Sequence, residues 1–66
     1  MSQGSSYAKA QRTIAKNARL NAAVIRRAAE RPENHTIRTG LMLQAERYDV
    51  IATAAEGRAT KGVVAA

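Results

Sequence analysis

The side chains that could do chemistry in this 66-residue sequence are mainly cationic. Seven of its eleven Lys and Arg residues lie between Tyr7 and Arg31, together with a single acid, Glu30. Residues 32–66 carry four basic and four acidic side chains, so the formal net charge of +6 comes entirely from the first half. A cationic segment of this kind can neutralise phosphates or other anions. The sequence therefore predicts an anionic partner for its first half, and nucleic acid (DNA or structured RNA) is the partner we expect.

The residues needed for catalysis or metal binding are scarce. The chain has one His, His35, one Asp, Asp49, and no Cys. General acid–base catalysis needs titratable groups whose surroundings tune their pKa, and metal sites need several ligands at defined spacing. We therefore expect a protein that is not an enzyme and that uses no cofactor and no metal.

The cationic segment is predicted to be helical, because residues 7–31 contain no Gly or Pro and are rich in Ala and Arg. At about 100° per residue, its apolar and basic side chains fall on opposite sides of the helix. The predicted apolar stripe consists of Tyr7, Ala10, Ile14, Ala18, Ile25 and Ala28. The predicted basic face, which we expect to bind nucleic acid, consists of Lys9, Arg12, Lys16, Arg19, Arg26 and Arg27.

Pro32 is expected to end this helix, because it lacks an N–H and restricts the preceding residue. A second helix is predicted over about residues 35–56, with a stop at Gly57. Its main apolar stripe comprises Ile37, Leu41, Ala45, Tyr48, Ile51, Ala52 and Ala55. Leu43 and Val50, seven residues apart, lie off this stripe. They predict a contact with a second subunit or a larger protein.

The fold class predicted is all-α: an antiparallel two-helix hairpin of about 6–31 and 35–56, since the connection is short. Residues 1–66 are expected to form one domain, with a loose N-terminal arm (1–5) and a C-terminal tail (58–66). The chain is small, and Ala outnumbers its larger apolar residues. Such a domain buries little apolar surface, so we expect an oligomer or a hairpin packed on a partner.

A second interpretation divides the first helix at Arg19–Leu20. Residues 11–28 resemble the helix-turn-helix of lac-repressor-type regulators, with Ile14, Ala18 and Leu20 at its apolar positions and Asn21 as the cap. The resemblance implies a three-helix DNA-binding domain whose second helix lies in the major groove. Arg26 and Arg27 would then face guanine edges or phosphates.

One feature of the sequence favours a single continuous first helix, and another favours the helix-turn-helix. The basic face stays in phase from Lys9 through Arg27, which favours one continuous helix. Leu20 would lie on that basic face, which favours the turn.

The chain is also similar in composition to helical internal or ejection proteins of short-tailed phages, over AKAQRTIAKNARLNAAVIRRAAE and LQAERYDVIATAAEGRATKGVVAA. This similarity implies a virion component. In this alternative, the chain is a structural subunit whose hairpin packs against larger proteins. No stretch approaches the roughly 20 apolar residues of a membrane span, so a membrane partner is not expected. The expected location is the cytoplasm or the interior of a virion or assembly.

Overall fold

The computed structural model describes the backbone of residues 3–65 and the side chains of residues 6–61. Helix α1 spans Gln3–Ala29, helix α2 spans Arg38–Ala65, and the 3-10 helix Pro32–Ile37 connects them. Arg19 pairs with Glu56 and Arg26 with Asp49, so the two helices run antiparallel. The predicted all-α hairpin is confirmed. It is a rod, with Cα extents of 50 × 14 × 9 Å.

Helix α1 is continuous through Arg19 and Leu20. The three-helix alternative, which needs a turn at that point, is therefore not the fold observed. Leu20, the residue that favoured a turn, lies on the surface with 56% of its area exposed. Single exposed apolar side chains are common on folded proteins, so Leu20 requires no break in the helix.

The connection between the helices follows from Pro32. The residue before it, Arg31, has φ −69° and ψ 134°, the extended conformation that a following proline imposes. The side-chain amide of Asn34 donates a hydrogen bond to the backbone carbonyl of Ala28 at 2.8 Å. The same carbonyl accepts from the backbone N–H of Arg31 at 3.2 Å, so the two bonds replace the helical donor that Pro32 cannot supply.

The start of α1 and the end of α2 extend beyond the predicted bounds, whereas α1 ends at Ala29 rather than 31 and α2 begins at Arg38 rather than 35. Residues 3–5, expected in a loose arm, are helical. The stop predicted at Gly57 is wrong, since α2 continues through residues 58–65 of the expected tail. No described residue, Gly57 included, adopts a positive φ, so Gly57 sits in ordinary helix, where it costs about 0.5–1 kcal/mol relative to Ala. Ala59, beyond it, is only 3% exposed and gains burial from the longer helix.

The seam between the helices is built from alanine. The buried residues are Ala8, Ala15, Ala18, Ala22 and Ala29 in α1 and Ala45, Ala52, Ala55 and Ala59 in α2, each no more than 4% exposed. Most of them recur at seven-residue intervals, the spacing of a coiled-coil seam. Small side chains let two helices pack closely. Among the described residues, no large side chain is fully buried.

The predicted apolar stripe of the first helix is right for three of its six residues and wrong for the other three. Tyr7 and Ile14 are 46% and 42% exposed, and Ala10 is exposed as well. Ala18 does lie in the seam, while Ile25 and Ala28 are half-buried beside it. The prediction followed the larger apolar residues, whereas the helices meet along the alanine repeat next to them.

The predicted stripe of the second helix is largely confirmed. Ala45, Ala52 and Ala55 are buried, and Leu41 and Tyr48 are half-buried. Two further members of this stripe are exposed, Ile37 and Ile51.

Candidate nucleic-acid interface

The six basic residues predicted to bind nucleic acid all lie on α1, and the structure separates them into two groups. Arg19 and Arg26 lie at one edge of the seam, where each faces an acidic residue of α2. The other four are exposed and take part in no ion pair among residues 6–61. These four are Lys9, Arg12, Lys16 and Arg27.

Arg19 forms a two-pronged contact with Glu56. Its Nε donates to Oε2 at 3.0 Å and its Nη2 to Oε1 at 2.5 Å. Arg26 donates through Nη2 to Oδ2 of Asp49. Nη1 of Arg19 also lies 3.9 Å from Oδ1 of Asp49, which joins the two pairs. We call these four residues the ion-pair ladder.

The ion-pair ladder perturbs the titration of its members. The hydrogen bond from Arg26 lowers the pKa of Asp49, and the hydrogen bond from Arg19 lowers the pKa of Glu56. The same contacts raise the pKa of Arg19 and of Arg26. The four side chains are 35–48% exposed, so water and salt screen their attraction. The ladder therefore links the two helices but contributes only modestly to stability.

The four exposed cations lie on two sides of α1. At about 100° per residue, Lys9, Lys16 and Arg27 point away from the seam, whereas Arg12 continues the row of Arg19 and Arg26 at the seam edge. No acidic residue interrupts α1, because Glu30, the first acid of the chain, follows the end of the helix. A cationic surface of this kind can contact phosphates but does not read bases.

Two cations of α2 that the sequence analysis did not identify as binding residues lie beside the first half of α1. The Nε of Arg58 donates a hydrogen bond to the side-chain oxygen of Gln11 at 2.8 Å. Lys61 is exposed about one turn further along α2. Only the antiparallel register brings these residues beside the first half of α1, so no local sequence pattern could have identified them.

Leu43 and Val50, the predicted partner contacts, lie on the face of α2 opposite the seam and are 53% and 68% exposed. They border a shallow surface depression of about 330 Å³, together with Glu46, Arg47 and Ile51. Helix α2 thus carries apolar side chains on two opposite sides, and one of these sides has no contact with α1.

The described residues contain no cluster of three or more His, Cys, Asp or Glu side chains able to hold a metal ion. His35 is exposed in the connection, away from the ion-pair ladder. Neither helix contains, in its described part, a stretch long and apolar enough to cross a membrane.

Comparisons with known proteins identify no relative of this chain. No family model matches it. Searches of curated proteins and of solved structures likewise give no match. The functional assignment therefore rests on the side chains and their arrangement.

Proposed function

We propose that this protein binds nucleic acid without catalysing a reaction, through the basic face of α1, in a regulatory or accessory role. The observation that carries the proposal is the set of exposed cations on one acid-free helix: Lys9, Arg12, Lys16 and Arg27. Each can neutralise a phosphate and release a condensed counterion, which supplies affinity independent of sequence.

Arg19 and Arg26 have a second role in this proposal. Their contacts with Glu56 and Asp49 link the two helices and offset much of their charge. Both side chains remain 40–47% exposed, so they can still approach a phosphate from the edge of the basic face. They contribute less to binding than the four cations without an acidic partner.

A duplex fits this surface better than a single strand. Binding of single strands relies on aromatic side chains on which successive bases stack. The chain has two tyrosines and no Phe or Trp. Tyr48 is half-buried against the alanine seam, and Tyr7 alone is accessible, with 46% of its area exposed. One exposed ring cannot form a platform for several bases, whereas phosphate contacts need none.

The proposal is tested by titrating a mixed-sequence duplex with the full chain at several salt concentrations. We expect binding at low salt and a linear fall of log K with log salt, steeper by about 0.9 for each phosphate contacted. The double variant Lys16→Glu/Arg27→Glu should abolish binding while leaving the helix content, measured by circular dichroism, unchanged. Absence of wild-type binding at low salt would overturn the proposal.

A second candidate function is a structural subunit of a larger assembly, such as a virion component. It is favoured by the exposed Leu43 and Val50 on the outer face of α2. A seam made of alanine stabilises the hairpin weakly, because each Ala removes little apolar area from water. Pairing of this face with that of a second copy would bury both residues and produce a four-helix bundle.

Sedimentation distinguishes this second candidate. The wild type should sediment as an oligomer, and Leu43→Glu/Val50→Glu should convert it to a poorly folded monomer. The matched variant Thr53→Glu/Thr60→Glu changes two exposed residues of the same helix and should leave the oligomer intact. A well-folded wild-type monomer would contradict the assembly role.

A further inference from the structure

In the folded hairpin, most of the excess positive charge lies at one end of the rod, and that end includes residues from both helices. In the sequence, the excess belongs to residues 1–31. In the hairpin, Arg19 lies beside Glu56 and Gln11 beside Arg58, so the first half of α1 shares its level with the last turns of α2. We call this part, residues 6–19 and 56–61, the open end. Residues 20–55 form the turn end.

The two ends differ sharply in charge. The open end carries six basic residues and one acid, for a net charge of +5. The turn end carries five basic residues and four acids, for a net charge of +1. Together they account for the whole net charge of +6. The rod is therefore electrostatically polar along its 50 Å axis.

Glu56, the single acid of the open end, is already paired with Arg19. Both oxygens of Glu56 accept hydrogen bonds from Arg19. The other five cations of this end have no acidic partner among residues 6–61. They are Lys9, Arg12, Lys16, Arg58 and Lys61.

Arg58 differs from the other four because its guanidinium is held in place without being neutralised. Its partner, Gln11, accepts a hydrogen bond from Nε but carries no charge. Among residues 6–61, the other N–H groups of this guanidinium fork have no hydrogen-bond partner and can donate to an incoming anion. Arginine presents these donors in a rigid geometry that suits phosphate oxygens.

The surroundings of Arg27 are different, although it lies on the same helix. Glu30 follows it by three residues, just past the end of α1, and forms no ion pair with it. Along the axis, Arg27 is about 16 Å from Lys16, at a rise of about 1.5 Å per residue. That distance is roughly two Debye lengths at physiological salt. Arg27 therefore does not reinforce the field of the open end.

We propose that the phosphate-binding surface is the open end, shared by α1 and α2, and that its ligand is the backbone of duplex nucleic acid. The inference rests on the proposed nucleic-acid binding and moves its centre from the face of one helix to one end of the hairpin. Lys9 and Lys16 lie about 10 Å apart along the helix, a distance that covers about three phosphates at 3.4 Å of axial rise per strand. Arg58 and Lys61 extend the surface onto α2.

The test compares two double variants that each remove two positive charges from the full chain. Lys16→Gln/Lys61→Gln takes one cation from each helix at the open end. Arg31→Gln/Arg38→Gln takes two exposed cations at the turn end. Each protein is titrated with a 20-base-pair mixed-sequence duplex over a range of salt concentrations, and its helix content is checked by circular dichroism.

We expect the open-end variant to bind roughly 60-fold more weakly at 0.1 M salt, with a salt slope smaller by about 1.8, since two counterion-releasing contacts are lost. The turn-end variant should bind within about twofold of the wild type, with an unchanged slope. Lys61→Gln alone should reduce the salt slope by about 0.9, half of the reduction in the double variant, because Lys61 of α2 contributes one of the two contacts.

The other outcomes separate this inference from the proposed function. Wild-type binding with equal losses in both double variants would overturn the open-end assignment and leave the proposed function standing. Wild-type binding that is insensitive to Lys61→Gln would overturn the role of α2. Tighter binding of a single strand than of the duplex would overturn the choice of ligand. No wild-type binding at low salt would overturn the proposed function itself.

Discussion

Arg26 of α1 pairs with Asp49 of α2 across the edge of the seam, and the pair of Arg19 with Glu56 repeats this contact seven residues earlier in α1 and seven residues later in α2. The repeat matches the spacing of the buried alanines. Because alanine layers are alike in size, they distinguish one register from another poorly. A slip of one heptad in one direction would place Arg26 opposite Glu56 and leave Asp49 facing residue 33, an acid, in the connection. A slip in the other direction would pair Arg19 with Asp49 and Arg12 with Glu56, so the charged pairs oppose only the first of these two slips.

Stability should fall in acid because of these pairs. Asp49 and Glu56 have lowered pKa values in the folded state. Their contribution is therefore complete above the unfolded-state pKa values of about 4 and is lost as pH falls through the lower folded-state values. Thermal unfolding followed by circular dichroism should give a constant Tm from pH 8 to pH 5 and a falling Tm below about pH 4. A Tm that rises on acidification would contradict the role of the ladder.

Exchanging the charges of Arg26 and Asp49 should restore the stability that reversing the charge of Arg26 alone removes. Arg26→Asp places a second carboxylate beside Asp49, and the repulsion should lower the urea midpoint of the hairpin. Adding Asp49→Arg restores an opposite pair and should recover most of that midpoint. The recovery should shrink in high salt, because both side chains are 35–40% exposed. A double variant no more stable than Arg26→Asp would show that residues 26 and 49 do not stabilise the hairpin as a pair.

The sequence was sufficient for the number and order of the helices, but not for the end of α2 or for the interface between the helices. Pro32 and the preceding extended residue define the break, and the Gly- and Pro-free composition of residues 7–31 defines a helix. The seam was misplaced because burying Ile14 or Tyr7 would remove more apolar area from water than burying an alanine. The helices instead meet along Ala8, Ala15 and Ala22. Close approach of two backbones is a property of the pair and is not visible in either helix alone.

For the predicted basic face too, the sequence predicted the helix that carries the residues but not the contacts they make with the other helix. Periodicity correctly placed its six residues on one uninterrupted helix. It could not show that Arg19 and Arg26 face acids, because Asp49 and Glu56 are distant in sequence and reach them only through the register. Arg58 was overlooked for the same reason, since Gln11, its partner, is 47 residues away.

The alanine seam gives a prediction with an internal control. Ala22 is 1% exposed in the seam, whereas Ala23, the next residue, is exposed. Ala22→Leu should force the helices apart and cost about 1–3 kcal/mol of unfolding free energy, as overpacking does in other cores. Ala23→Leu should change stability by no more than about 0.5 kcal/mol, as is usual for surface substitutions. Urea unfolding of both variants measures the difference, and equal effects would contradict the seam.

Gly57 distinguishes the observed second helix from the shorter one that the sequence predicted. A glycine that ends a helix adopts a positive φ, and replacing it with Ala is destabilising. Here α2 passes through Gly57 without a positive φ, and a Cβ built on this residue meets no atom within 4 Å. Gly57→Ala should therefore stabilise the hairpin by about 0.5–1 kcal/mol in urea unfolding. Gly40→Ala, at an equally open helical position, is the matched variant and should stabilise by a similar amount. Destabilisation confined to Gly57→Ala would mean that α2 ends at this residue, and the open end would then lose the helical support of Arg58 and Lys61.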